Sequence, residues 1–327
     1  MTWIDVARVA VAVALLSIGA ATDLRTRLAS NLLWVAMACV GGGLWVVELV
    51  AAGAPLPLLL LPLGPILVFV LALYNGTFFE GEPDATDQPD PADDAIAHRW
   101  NLALTVGCLL AVAGLVVIAL APRPDGGTGG VGVVAAALLA LLVQGGFYAL
   151  YRLRVIAGGA DKNALIALCV LFPRSPSLAP LLTSLPLASV PSIAQQSYPF
   201  SWVVLTNAVL LVLLVPLALM VRNLRDSTVG LHMFNAYCAP IDEVRSSHVW
   251  LLSRFHGGEH VWTGSFLRAA PLEGKALEEQ LRALEDAGET QVLVTPKIPL
   301  LVFVVAGLVL SVIGGNLLLW ALLRLLP

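Results

Sequence analysis

The sequence predicts an all-α polytopic membrane protein with about eight transmembrane helices and a small α+β domain before the last helix. Hydrophobic residues make up 58% of the 327 residues and charged residues 12%, whereas a soluble domain carries about 25% charged residues. The mean hydropathy is +0.87. The apolar runs approach the ~20 residues that a helix needs to cross a bilayer. Because a helix satisfies its backbone hydrogen bonds within one segment, the spanning elements are expected to be helices.

Seven apolar runs define the predicted spans. They cover residues 3–22, 31–52, 56–74, 102–121, 131–151, 202–221 and 300–325. An eighth span is expected after Lys162, but the apolar run there reaches only to Pro173. Such a run covers about 16 Å, against a hydrocarbon core of about 30 Å. Either the helix continues through the prolines that follow, or Gly158 and Gly159 form an unwound loop that dips below the membrane surface.

The basic residues predict the orientation of the spans. With eight spans, one side of the membrane receives all 18 Lys and Arg residues except Arg8, Arg123, Arg174 and Arg324. By the positive-inside rule, this side is the cytoplasm. We therefore expect a multi-pass protein of the cell membrane with its N-terminus outside.

The connection at residues 80–94 is strongly acidic. Its acids are Glu80, Glu82, Asp84, Asp87, Asp90, Asp93 and Asp94. A segment with this charge and little apolar content is expected to be a solvated loop. On the predicted cytoplasmic side, its charge could attract a basic segment of a substrate.

A longer polar segment precedes the last span. Residues 222–299 contain helical spacing at 272–287 and a short strand pattern at 291–294, which together predict a small cytoplasmic domain. The predicted division of the chain is a membrane core at residues 1–221, this domain at 222–299 and a C-terminal transmembrane helix at 300–327.

Two acids lie at predicted cytoplasmic ends of spans, where a charge is costly unless it has a partner or a function. Asp23 ends the first span, and Asp161 precedes the short eighth run. Two carboxyl groups brought together cannot both ionise easily, so one holds a proton while the other takes one from water. This is the minimum apparatus of an aspartyl protease. Alternatively, both acids are interfacial anchors, Asp23 paired with Arg25 or Arg27 and Asp161 with Lys162.

The residues around these acids resemble two motifs of a known family. The first motif is Asp23-Leu24-Arg25-Thr26-Arg27-Leu28-Ala29-Ser30-Asn31, and the second is Gly158-Gly159-Ala160-Asp161-Lys162. Together they resemble the type IV prepilin peptidase family, and especially its archaeal preflagellin and prepilin peptidase branch, whose second aspartate lies in a Gly-x-Gly-Asp motif.

The resemblance implies a membrane aspartic endopeptidase with Asp23 and Asp161 as its catalytic pair. It implies removal of the leader peptide from pilin-like or archaellin precursors at the cytoplasmic membrane face, with no metal and no other cofactor. The expected partners are these precursors and the lipid bilayer. The residues that support the two motifs are Gly158, Gly159, Ala160, Lys162 and Asn31.

The chain departs from the family pattern at three points. Ala160 stands where the motif has its second glycine, and a strained backbone at that position would make alanine costly. Ala29 and Ser30 replace the Ile/Val-Pro pair that often precedes the Asn in bacterial members. The chain has no CxxC motif, so the N-methylation of the bacterial branch is not expected.

Two other classes of protein fit parts of the pattern. In a cation-coupled transporter or channel, Asp161 beside a broken helix would bind the cation, and Glu48 is the best further acid within a span. A presenilin-like protease shares the Gly-x-Gly-Asp motif, but Thr22 takes the place of the tyrosine that precedes its first aspartate. The net charge of −4 leaves no basic face for nucleic acid.

A sequence motif of zinc sites occurs in the polar segment, at His256-Gly257-Gly258-Glu259-His260. The two histidines of such a site must share one helical face. Because the two glycines oppose a helix, the prediction here is a hairpin turn between two strands.

Overall fold

The chain folds into two compact units. One comprises Met1–Val209 together with Leu300–Pro327, and the other comprises Leu210–Pro299. The computed structural model describes residues 3–26, 29–79, 131–153, 155–156, 158–176, 199–226, 230–256, 259–262, 272 and 274–325.

The first unit is helical. Its helices are α1 (Trp3–Thr26), α2 (Asn31–Ala51), α3 (Leu56–Leu59), α4 (Leu63–Phe79), α5 (Val131–Arg152), α6 (Gly159–Leu171), α7 (Phe200–Val212), α11 (Leu300–Gly314) and α12 (Leu317–Leu325). The first and last parts of this unit meet, because α1 packs against α11.

Four helical segments among the described residues are long and apolar enough to cross a membrane. They are Trp3–Thr26, Asn31–Ala51, Val133–Arg152 and Phe200–Arg225. Two further apolar helices, Leu63–Leu73 and Leu300–Gly314, are shorter. The mostly helical membrane fold is thus confirmed, whereas the predicted total of eight spans is not. The span predicted at residues 102–121 lies outside the described residues.

Helix α6 lies in the interior of the first unit. Every residue from Lys162 to Leu171 is buried, and the helix packs against α1, α2, α4, α5 and α11. Its 13 residues reach about 20 Å, less than the thickness of a bilayer core. Its contact with α2 depends on Gly41, since a Cβ built there would lie 2.6 Å from the Cα of Leu171. Small residues allow such backbone approach between membrane helices.

The spans predicted at residues 56–74 and 300–325 are each divided into two helices. The span predicted at residues 56–74 consists of α3 and α4, and Pro62 directly precedes α4, as suits a residue that opens a helix more readily than it continues one. The span predicted at residues 300–325 consists of α11 and α12. Gly315 lies between them with a φ of 71°, a left-handed conformation that commonly ends helices.

Asn207 on α7 stabilises the break between α11 and α12. Its buried side chain donates hydrogen bonds to Ser311 Oγ at 2.9 Å and to the Gly315 carbonyl at 2.8 Å. It also accepts one from the backbone N–H of Leu317 at 3.2 Å. Because a backbone group left unpaired in a membrane is costly, this amide makes the interruption tolerable.

The second unit is a small α+β fold. Its elements are α8 (Leu214–Arg225), a 3-10 turn (Leu231–Phe234), β1 (Tyr237–Pro240), α9 (Ile241–Ser246), β2 (Val249–Leu251), β3 (Ser253–His256), β4 (Glu259–Trp262), α10 (Gly274–Asp286) and β5 (Gln291–Pro296). Strand β5 is the centre of an antiparallel sheet, with β1 and β2 on its two sides. Leu281 and Leu284 of α10 are buried in a core with residues of this sheet.

The elements predicted in the polar segment are confirmed. Helix α10 falls within the predicted residues 272–287, and β5 includes the predicted strand at 291–294. The two histidines of the zinc-site motif lie on β3 and β4, which pair with each other, and His256 lies opposite Glu259. The structure thus places its two histidines on paired strands, as the glycines predicted.

Candidate active site

Asp161 lies in the first turn of α6. Gly158 caps this helix with extended backbone, at a φ of −89° and a ψ of 129°. A Cβ built on Gly158 would overlap Oδ2 of Asp161. Glycine at this position therefore leaves space for the carboxylate where it lies, and its backbone conformation is one that any residue can adopt.

The start of α6 corrects two expectations. Gly159, Ala160 and Asp161 are helical, so the helix begins before Lys162 and the Gly158-Gly159 segment is not an unwound loop. Because Ala160 has ordinary helical backbone, alanine in place of the family's glycine carries no conformational penalty there.

Asp23 lies in the last turn of α1, and both it and Asp161 are half-buried. Asp161 belongs to none of the four membrane-length segments. Burial raises the pKa of Asp161 to about 7, and the nearby Asp23 carboxylate adds to the increase. The structure thus brings the two predicted aspartates within electrostatic range of each other. Asp161 can therefore hold a proton near neutral pH.

Lys162, the residue after Asp161, attaches the same helical turn to α4 and α5. It is fully buried, its Nζ donates to the Ala72 carbonyl of α4 at 3.2 Å, and its ammonium lies 4.3 Å from the centre of the Tyr151 ring of α5. A cation over an aromatic face is stabilised by the ring quadrupole. This lysine is therefore buried between helices, whereas the anchor interpretation required it at the membrane surface.

Asn31 is the first residue of α2, and it contacts a residue that the sequence analysis did not single out. Asn163 Nδ2 donates to Asn31 Oδ1 at 3.0 Å. This bond joins the segment of the first motif to that of the second. The only sequence signal for Asn163 was a polar side chain two positions after Asp161, at the start of an apolar run.

As an interfacial anchor, Asp23 would form an ion pair with Arg25 or Arg27. Among the described residues no ion pair joins Asp23 to Arg25, and Arg27 lies outside them. The transporter alternative loses its second acid, because Glu48 forms ion pairs with Arg8 at 2.8 Å and with Arg174 at 3.1 Å. Its carboxylate thus connects α1 and α2 with Arg174, which follows the end of α6.

Among the residues that the structure describes, no group of three or more His, Cys, Asp or Glu side chains could hold a metal ion. Fold and site together define a membrane-embedded helical protein with a candidate pair of acid and base carboxyl groups at the start of a buried half-helix.

Comparison with known proteins shows that part of the chain is similar to one peptidase family. The model of the family described as Archaeal Peptidase A24 C-terminus Type II matches residues 230–317. The matched region includes neither of the two aspartate motifs, so it is an independent observation. It confirms the resemblance to the archaeal type IV prepilin peptidase family and supports a membrane protease of the prepilin or preflagellin peptidase type. No curated protein and no solved structure matches the chain.

Proposed function

We propose that this protein is an aspartic endopeptidase that removes the leader peptide from pilin-like or archaellin precursors, with Asp23 and Asp161 as its catalytic pair. One observation carries the proposal, namely that the aspartates of two separate sequence motifs interact electrostatically at the start of α6. The family match at residues 230–317 supports the same class of protease from another part of the chain.

The proposed chemistry needs only the two carboxyl groups and a water molecule. The ionised carboxylate takes a proton from the water as its oxygen attacks the scissile carbonyl carbon. The protonated carboxyl group donates a hydrogen bond to the oxygen of the tetrahedral intermediate. The other carboxyl group then gives the proton that it took from water to the leaving amine as the C–N bond breaks.

The proposed location follows from the predicted orientation. Both aspartates lie at helix ends that the basic residues assign to the cytoplasmic side of the cell membrane. A precursor would place its apolar helix in the bilayer and its charged leader in the cytoplasm, so that its scissile bond falls at the boundary where the two carboxyl groups meet. Gly158, Gly159, Ala160, Lys162 and Asn31 would hold this site in shape.

The test is cleavage of a pilin-like precursor in membranes by the wild type and by Asp23→Asn and Asp161→Asn. Each variant keeps the shape of the side chain and removes its acid–base function, so both should lose cleavage. Asp242→Asn is the matched control, because the Asp242 side chain is 93% exposed on the second unit, and it should cleave at the wild-type rate. Full processing by either site variant would refute the paired mechanism.

A further inference from the structure

Asn163 is a buried amide with one polar partner in the described part of the chain. The residue is only 5% exposed, and its Nδ2 donates a hydrogen bond to Asn31 Oδ1 at 3.0 Å. Its own Oδ1 is buried and has no hydrogen-bond partner among the described residues. A buried polar group is costly unless it is paired, so the contact with Asn31 decides where this amide lies.

The contact joins the two chain segments that carry the aspartates. Asp23 lies in the last turn of α1, which ends at Thr26, and α2 begins at Asn31. Ser30 caps α2, accepting a hydrogen bond from the N–H of Leu32 at 3.3 Å. The start of α2 is thus defined by its cap and tied to Asp23 by a short connection.

Three successive residues of α6 interact with different neighbouring helices. Side chains one residue apart on a helix differ by about 100° in direction. Asp161 interacts with Asp23 of α1, Lys162 contacts α4 and α5, and Asn163 contacts α2. A rotation of this turn that moves Asp161 away from Asp23 must therefore also break the contacts of the two residues that follow.

We propose that the amide pair of Asn31 and Asn163 is a positioning device that fixes the rotation of the first turn of α6 and so keeps Asp161 near Asp23. This inference rests on the proposed function, since positioning matters only if the two acids react together. The pair acts through Asp161 and needs no contact with the substrate. Its loss should lower kcat and leave KM nearly unchanged.

The experiment compares Asn163→Leu, Asn31→Leu and the double variant with the wild type, purified as the full chain and reconstituted in liposomes. Leucine has the same branched arrangement of side-chain heavy atoms as asparagine but cannot form hydrogen bonds. Asn207→Leu is the matched control, because it removes another buried amide of the same unit away from the motifs. Rates of precursor cleavage are expressed per folded molecule, counted by size-exclusion chromatography.

Each single variant at the pair should lower kcat about 10- to 100-fold, as expected when a reacting group is displaced by about 1 Å, with KM within about threefold. The double variant should be no worse than the poorer single variant, because both break one bond. Asn207→Leu should lower stability but keep the wild-type kcat.

A wild-type kcat in Asn163→Leu, or losses that multiply in the double variant, would overturn the positioning role alone. Loss of folded protein with an unchanged kcat per folded molecule would overturn it too. Absence of cleavage by the wild type itself would overturn both this inference and the proposed function.

Discussion

Alanine at position 158 should displace the carboxyl group of Asp161. A Cβ on Gly158 would lie 3.0 Å from Asp161 Cγ, and closer still to Oδ2. Non-bonded carbon atoms prefer a separation of about 3.5–4.0 Å, so the carboxyl group must move by roughly 0.5–1 Å. A displacement of about 1 Å at a reacting group can lower the rate ~100-fold. We expect Gly158→Ala to lower kcat about 10- to 100-fold by that same argument.

The assay is precursor cleavage by the purified variant at saturating substrate, with Gly145→Ala as the control. A Cβ on Gly145, within α5, meets no atom within 4 Å, and alanine favours a helix over glycine by about 1 kcal/mol. Gly145→Ala should therefore keep the wild-type rate. A wild-type rate in Gly158→Ala would refute the argument, because it would show that the carboxyl group does not lie over Gly158 in the active enzyme.

Four further predictions follow from the same structure and sequence. Because the pKa of Asp161 is raised to about 7 by burial and by Asp23, Asp161 loses its proton above that pH, and kcat should fall about tenfold per pH unit there; a rate independent of pH between 7 and 9 would contradict this. A folded-state pKa above the unfolded value makes stability decrease between about pH 4 and pH 7, so Asp161→Asn should unfold at a higher temperature than the wild type at pH 8 but not at pH 4, and equal midpoints at pH 8 would argue against a buried charge. Gly41→Ala should lower the free energy of unfolding by about 1–3 kcal/mol through overpacking against Leu171, as measured by thermal denaturation in detergent. Replacing the acids of residues 80–94 with Ser or Asn should slow cleavage more at low salt than at high salt if they attract a basic leader, and equal effects at both salt concentrations would remove that role.

Local sequence patterns were sufficient for most of the helices and for the second unit. The apolar runs predict α1, α2 and α5 to within a few residues at most of their ends, because burial in a bilayer needs a long uninterrupted apolar segment. In the second unit, the glycines between His256 and Glu259 predict the hairpin, and the spacing of leucines predicts α10. In each case the deciding information lies within one short segment of the chain.

Other features depend on partners that are distant in sequence. Charges and glycines at residues 158–162 favour a loop locally, yet α6 begins there. Contacts of Lys162 with the Ala72 carbonyl and the Tyr151 ring stabilise this start of the helix. The break after α11 likewise depends on Asn207, more than a hundred residues earlier. The contact of Asn163 with Asn31 is of the same kind. No local pattern reveals such pairings, so the site could be predicted as two motifs but not as a packed arrangement.

Asp23 and Asp161 are proposed to react as one unit. The most direct test is the initial rate of precursor cleavage by purified enzyme in liposomes, measured for Asp23→Asn, Asp161→Asn and the double variant. Residues that act as a unit are strongly non-additive, so all three variants should cleave at the same background rate. Appreciable cleavage by either single variant, with a further loss in the double variant, would contradict the claim.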